Sequence, residues 1–136
     1  FLKNLKKVNN FKTKYRFCFL LIFPNIKCST QFIYSKIRKY SQKSKFRLNK
    51  VKNKNKFVKF LSGKNNALQS IVEKKYPKVK QLLTQISQEK GCYFSRMSGS
   101  GSVCYGIFES EKMAKDALKR IKLKYPKYWL TVAKTI

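Results

Sequence analysis

The segment RMSGSGSVCYGIF, Arg96 to Phe108, combines the residue types that let a main chain approach a phosphate. Gly99 and Gly101 are separated by single serines, and Ser100 and Ser102 add hydroxyl donors. Glycine reaches positive φ and carries no side chain, so successive N–H groups can turn toward one anion. A polar turn between two strands is the plain alternative, and it accounts for one glycine better than for two.

Other chemistries find little support in the residue inventory. The chain has no histidine, which removes imidazole bases, Cys–His nucleophiles and Cys2His2 zinc sites together. Cys18, Cys28, Cys92 and Cys104 never approach CxxC spacing and sit in or beside apolar segments, so they read as buried free thiols in a reducing compartment, with no metal site expected. All five acids (Glu73, Glu89, Glu109, Glu111 and Asp116) fall after residue 72, and the first 72 residues carry 19 Lys or Arg. The formal net charge of +28 over 136 residues invites a polyanion such as RNA, DNA or an anionic surface. Against this, only five of the 33 basic residues are Arg, the side chain whose planar fork grips phosphate best, and Lys, Asn, Phe, Tyr and Ile abound as AT-rich coding drift would leave them.

The hydrophobic pattern arranges these residues into one domain of residues 16–136 after a basic lead-in, residues 1–15. Arg16 to Phe23 reads as a fully buried strand ending at Pro24. Its apolar core, FCFLLIF, has seven residues against the ~20 that span a bilayer. Ser29 or Thr30 then caps a helix with Ile33, Ile37 and Tyr40 on one face. A Lys/Asn-rich insertion at residues 41–56 is too polar to offset its ordering entropy and reads as a mobile loop, and Phe57 to Leu61 is ambiguous. Asn66 opens a short helix that turns Leu68, Ile71 and Val72 inward. Pro77 starts another, with Val79, Leu82, Leu83 and Ile86 at i, i+3, i+4, i+7 and Gly91 as its C-terminal cap. CYFSRM and VCYGIF flank the glycine loop as a hairpin, Ser110 caps a helix carrying Ala114, Ala117, Leu118 and Ile121, and YWLTVAK closes the chain as a strand. The order predicts an α+β, ferredoxin-like split β-α-β fold, a four-stranded antiparallel sheet with helices on one face and an extra helix in the first crossover.

RMSGSGSVCYGIF, followed by an amphipathic helix and PKYWLTVA, closely resembles the C-terminal portion of the 4-diphosphocytidyl-2-C-methyl-D-erythritol kinases of the GHMP superfamily of small-molecule kinases. LLIFPNIKCSTQFIYSK resembles the family's strand, turn and ST-x-x-x-Y helix start at Pro24, Ser29, Thr30 and Tyr34, and NALQ, Asn66 to Gln69, stands where the family has Asn-Asp-Leu-Glu. The likeness runs over roughly residues 16 to 136. It implies a ferredoxin-like GHMP C-terminal domain and ATP- and Mg2+-dependent phosphorylation of a cytidine-diphosphate substrate in non-mevalonate isoprenoid synthesis, in a bacterial cytoplasm or an organelle. It also implies roles: Gly99, Ser100, Gly101 and Ser102 as a phosphate and substrate loop, Thr30 as a substrate hydrogen-bonding residue, and Tyr34 as a platform for the cytosine ring.

The departures are as informative. The superfamily's Gly-Leu-Gly-Ser-Ser phosphate loop and its N-terminal catalytic Lys and Asp are absent, Ala67 and Gln69 replace two acids, and no acid lies near Thr30 or Tyr34 in sequence. A C-terminal fragment, holding neither ATP nor Mg2+ and catalytically silent alone, is the resulting expectation, completed by an N-terminal domain in the intact enzyme. The competing readings are an RNA-recognition module of the same strand order and a basic ribosomal-type structural protein, with nucleic acid held by unspecific charge. The first lacks a basic residue leading into SVCYGIF and has a first strand too evenly apolar to leave a wet face.

Overall fold

The computed structural model describes residues 16–37, 54–63 and 65–135. Four strands, β1 (Cys18–Phe23), β2 (Cys92–Met97), β3 (Cys104–Phe108) and β4 (Trp129–Lys134), form one antiparallel sheet in the order β2-β3-β1-β4. Helices α1 (Thr30–Ser35), α2 (Lys54–Ser62), α3 (Gln69–Lys75), α4 (Pro77–Ser87) and α5 (Glu111–Lys124) complete the α+β, split β-α-β arrangement that the sequence predicts.

Side-chain parity along the strands builds two cores. Leu20 and Ile22 of β1, Cys104 and Phe108 of β3 and Met97 of β2 point to one face, where they meet Val72, Val79, Leu82, Leu83, Ile86, Ala114, Ala117 and Ile121 from α3, α4 and α5. The i, i+3, i+4, i+7 pattern of α4 is buried at all four positions. The alternate residues Phe19, Phe94, Tyr105 and Ile107 point the other way and pack with Phe17 and with Phe57, Val58 and Leu61 of α2. Strand β1 is therefore half-buried in alternation rather than fully buried, and its unbroken apolar run reflects two different neighbours, one on each face.

Helix α2 corrects the expectation of helices on one face only, and it settles the ambiguous stretch Phe57 to Leu61 as helical. It also reassigns the end of the expected loop at 41–56, because Lys54, Asn55 and Lys56 open the helix. The rest of that loop, the lead-in 1–15 and Tyr40 lie outside the described residues. Arg96 holds the helix down: its guanidinium donates to the carbonyls of Leu61 (2.9 Å) and Ser62 (3.1 Å), which answers the unsatisfied C-terminal carbonyls.

Three local expectations hold and two are revised. Ser29 accepts from Phe32 N at 3.3 Å and caps α1, Pro77 opens α4, and Ser110 accepts from Met113 N at 3.2 Å and caps α5. Helix α1 ends at Ser35, earlier than the pattern to Tyr40 suggests. Gly91 does not cap α4, which ends through Gln88. It stands instead at φ +83° before β2, where a Cβ would lie 2.2 Å from Met113 Sδ. The junction is locked by Glu89, buried between α4 and α5, whose Oε2 accepts from Arg120 Nε and Nη2 at 2.7 Å each.

Gly106 lets α4 pack directly on β3. A Cβ there would fall 2.5 Å from Ile86 Cγ2. Gly106→Ala forces the helix off β3 and is expected to cost about 1–3 kcal/mol, read as a lower urea midpoint at unchanged slope.

Candidate functional site

The glycine loop is the apex of the β2–β3 hairpin. Gly99 adopts φ +55° and Gly101 φ +90°, so both positions need the freedom glycine provides. The apex is closed by Ser98 N donating to Val103 O (2.8 Å) and Gly101 N donating to Ser98 O (3.1 Å). Its two halves face opposite ways. A Cβ on Gly99 would meet nothing within 4 Å, whereas one on Gly101 would press on Met97 Sδ at 2.9 Å and Cys28 Sγ at 3.1 Å. Ser102 is buried, and its hydroxyl donates to the carbonyl of Ile26.

This revises the picture of four ligand-facing residues. Gly101 and Ser102 anchor the loop to the segment Ile26–Cys28, which leads directly into α1, and the Ser102 hydroxyl is already engaged. The amides of Gly99 and Ser100 have no hydrogen-bond partner among the described residues. Thr30 begins α1, two residues beyond Cys28, so the anchor brings the loop and the helix start together. Tyr34 lies one turn further on and is 53% exposed. Among the described residues no hydrogen bond or ring contact joins Thr30 or Tyr34 to the loop.

Two residues behind the loop do what the sequence did not disclose. Asn66 Nδ2 donates to Met97 O (2.9 Å) and Gly99 O (2.7 Å), while its Oδ1 accepts from Leu68 N (2.9 Å) and starts the turn into α3. Gln69 Oε1 accepts from Met97 N (3.0 Å), and its Nε2 donates to Glu73 Oε1 (3.1 Å). Asn66 and Gln69 are thus a latch between α3 and the hairpin apex, and Glu73 is a carboxylate two hydrogen bonds from the loop. Contacts across some thirty residues leave no periodic trace, so only the NALQ likeness could have flagged them.

Two further concavities do not include the glycine loop. One of about 830 Å³, between α1 and α3, is lined by Phe32, Ile37, Ile71, Lys36, Lys74 and Lys75 and includes neither the loop nor Tyr34. There Lys75 Nζ sits 3.6 Å from the centroid of the Phe32 ring. A second, about 360 Å³, runs along the outer sheet face between α2 and Phe19, Leu21, Phe94 and Tyr105. That is the surface where an RNA-recognition module would stack bases. Here α2 lies over it and Arg96 is engaged with α2, so the nucleic-acid reading gains no support. Among the described residues no three His, Cys, Asp or Glu gather, and no helix is long and apolar enough to cross a membrane.

The latch yields a discriminating test. Asn66→Asp keeps the acceptor for Leu68 N and loses both donors, so it is expected to destabilise by about 1–3 kcal/mol and to speed amide exchange at Gly99–Gly101 selectively, whereas Asn66→Ala loses the turn as well.

Known proteins match both the sequence and the shape. Residues 52–127 match the family described as GHMP kinases C terminal. The chain is 36% identical over 129 residues to the 4-diphosphocytidyl-2-C-methyl-D-erythritol kinase of Pelagibacter ubique, covering 95% of this chain and 45% of that protein. It is 41% identical over 73 residues to the kinase of the same name from Wolbachia pipientis wMel, covering 54% of this chain and 25% of that one. It thus spans less than half the length of these relatives. A crystal structure of 4-(cytidine 5'-diphospho)-2C-methyl-D-erythritol kinase superposes with a TM-score of 0.64 over 87% of this chain and 43% of that one at 18% identity, which speaks for the fold. The glycine-rich apex, the α1 start and the sheet order therefore have one common explanation: the chain belongs to the family of GHMP kinase C-terminal domains.

Proposed function

We propose that this chain is the substrate-side, C-terminal part of a kinase that transfers the γ-phosphoryl of ATP to the 2-hydroxyl of 4-diphosphocytidyl-2-C-methyl-D-erythritol. The observation that carries the reading is the Pelagibacter match over 95% of the chain, joined to a glycine loop anchored beside the start of α1.

In this reading the loop and the start of α1 divide the labour. Phosphoryl transfer requires positioning and charge stabilisation more than covalent chemistry. Gly99 and Ser100 present free amides toward the phosphates. Gly101 and Ser102 hold those amides in place from behind, with Asn66 and Gln69 fixing the apex from the other side. Thr30 offers a hydroxyl to the substrate, and Tyr34 stacks on its cytosine.

In this reading the base and the metal come from the partner domain. No hydrogen bond or ion pair sets a carboxylate against Thr30 or Tyr34 among the described residues. The acid behind the loop, Glu73, is bound to Gln69 and belongs to no group of three potential metal ligands among the described residues. The residues described do not fit magnesium. The ATP-phosphate loop and the catalytic Lys and Asp belong, in this reading, to a partner domain of the kind that makes up the rest of the relatives' length.

The 136-residue chain with ATP, Mg2+ and substrate is expected to give no turnover above blank, and to become active when the N-terminal half of the Pelagibacter relative is supplied as a separate chain. In that assembly Tyr34→Ala is expected to weaken substrate binding about 5- to 150-fold, the stacking contribution of about 1–3 kcal/mol. Turnover by the chain alone, or unchanged substrate affinity in Tyr34→Ala, overturns the assignment.

A further inference from the structure

The cavity of about 830 Å³ between α1 and α3 joins two kinds of surface. Phe32, Ile37 and Ile71 contribute apolar area, and Lys36, Lys74 and Lys75 bring three ammonium groups to its lining. Ser70, Ile71, Lys74 and Lys75 share one face of α3 by their spacing, so one helix side carries both characters. Lys75 Nζ lies 3.6 Å and Lys36 Nζ 5.3 Å from the centroid of the Phe32 ring. These two like charges are therefore held within a Debye length of about 8–10 Å of each other. No acid lines the cavity, and among the described residues the ion pairs engage Lys115, Arg120 and Lys134 instead.

Charge discriminates among the occupants such a cavity could take. Residues 38–53, which follow Ile37 in sequence, carry Lys and Arg and no acid, so three lysines repel them. A second copy of the chain brings a formal net charge of +28 and meets the same repulsion. An anion from outside the chain is the occupant the lysines favour. A hydrated inorganic ion would leave Phe32, Ile37 and Ile71 facing water, whereas an apolar body attached to the anion covers them. The volume falls within the roughly 300–1,000 Å³ usual for small-molecule sites.

We propose that the α1–α3 cavity binds an amphiphilic organic anion, a phosphate monoester whose head meets Lys36 and Lys74 and whose alkyl body lies against Phe32, Ile37 and Ile71. The site uses none of the residues placed on the kinase substrate, and Tyr34 is not part of its lining. Its two walls also support the glycine loop. The segment leading into α1 accepts from Ser102 at Ile26, and α3 reaches the hairpin through Gln69 and Met97. A ligand bridging α1 and α3 braces both supports at once and slows opening of the loop between them.

The test is an NMR titration of the 136-residue chain with hexyl phosphate, with inorganic phosphate as the head alone and hexyltrimethylammonium as the same tail on a cation. Hexyl phosphate is expected to shift the amides of Lys36, Ile37, Ser70, Ile71 and Lys74 and to bind at least about tenfold tighter than either control. Lys36→Gln/Lys74→Gln is expected to weaken it at least about tenfold. Lys112→Gln/Lys119→Gln, which removes equal charge from α5, is expected to bind as the native chain does. At saturation the amides of Gly99 and Ser100 are expected to exchange at least about threefold more slowly. The proposal is overturned if hexyl phosphate binds no tighter than inorganic phosphate, if hexyltrimethylammonium matches it, if the α5 amides shift as strongly, or if Lys36→Gln/Lys74→Gln keeps the affinity. Unchanged exchange at Gly99 and Ser100 overturns the link to the loop. The shift map is read on the native chain and depends on no variant folding, and no readout involves turnover, so its failure is distinct from failure of the kinase assignment.

Discussion

Strand β1 is apolar on both sides, and the rest of the molecule is arranged to keep both sides from water. Leu20 and Ile22 demand one cover and Phe19 and Leu21 another. Helices α4 and α5 provide the first and α2 the second, so the sheet becomes the middle layer of three rather than the floor of two. Burying apolar surface contributes about 25 cal/mol per Å², and an uncovered face of phenylalanines would forfeit that and invite association. Because β3 is held between β1 and β2 while both its faces are packed, the hairpin apex that follows β2 has a rigid base. The glycine loop can then be shaped by a few hydrogen bonds.

Within that loop, conformational freedom and fixation divide between neighbouring residues. Gly101 and Ser102 are pressed against Cys28 and Ile26, and Asn66 grips the carbonyl of Gly99 from the helix side. The amides of Gly99 and Ser100 make no hydrogen bond among the described residues, while the carbonyl of Gly99 is held. Under the proposed function, donors held in advance need no reorganisation when a phosphate arrives. The serines are thus not equivalent, although the sequence presents them as a repeat.

Much of the architecture was legible because its causes are local. Val79, Leu82, Leu83 and Ile86 repeat with the helical period, Pro77 and Ser110 are placed where helix starts need them, and strand lengths follow the apolar runs. Two of the errors share one physical origin, a second cover invisible along the chain. A strand packed on both faces has no polar alternation, so β1 reads as wholly interior, and α2 begins inside a lysine-rich stretch with only Phe57, Val58 and Leu61 to declare it. Gly91 resembles a helix cap by position, yet Met113 is the reason no side chain fits there. At the site, the glycines announced a turn with positive φ. The latch through Asn66 and Gln69 and the inward turn of Ser102 depend on partners 28 to 76 residues away, beyond any pattern of spacing.

The ring contacts of the lysines carry a further implication. With 33 basic and five acidic residues, carboxylates cannot serve most of the cations, and ring faces take their place: Lys75 on Phe32, Lys54 on Phe17, Arg96 on Phe94, Lys124 on Tyr125. Attraction between an ammonium and a π-cloud acts at contact, whereas repulsion among so many like charges reaches across a Debye length of about 8–10 Å in ordinary buffers. Added electrolyte therefore quiets the mutual repulsion and leaves the aromatic seats intact. Brine, which weakens most charge-rich proteins held by ion pairs, should tighten this one.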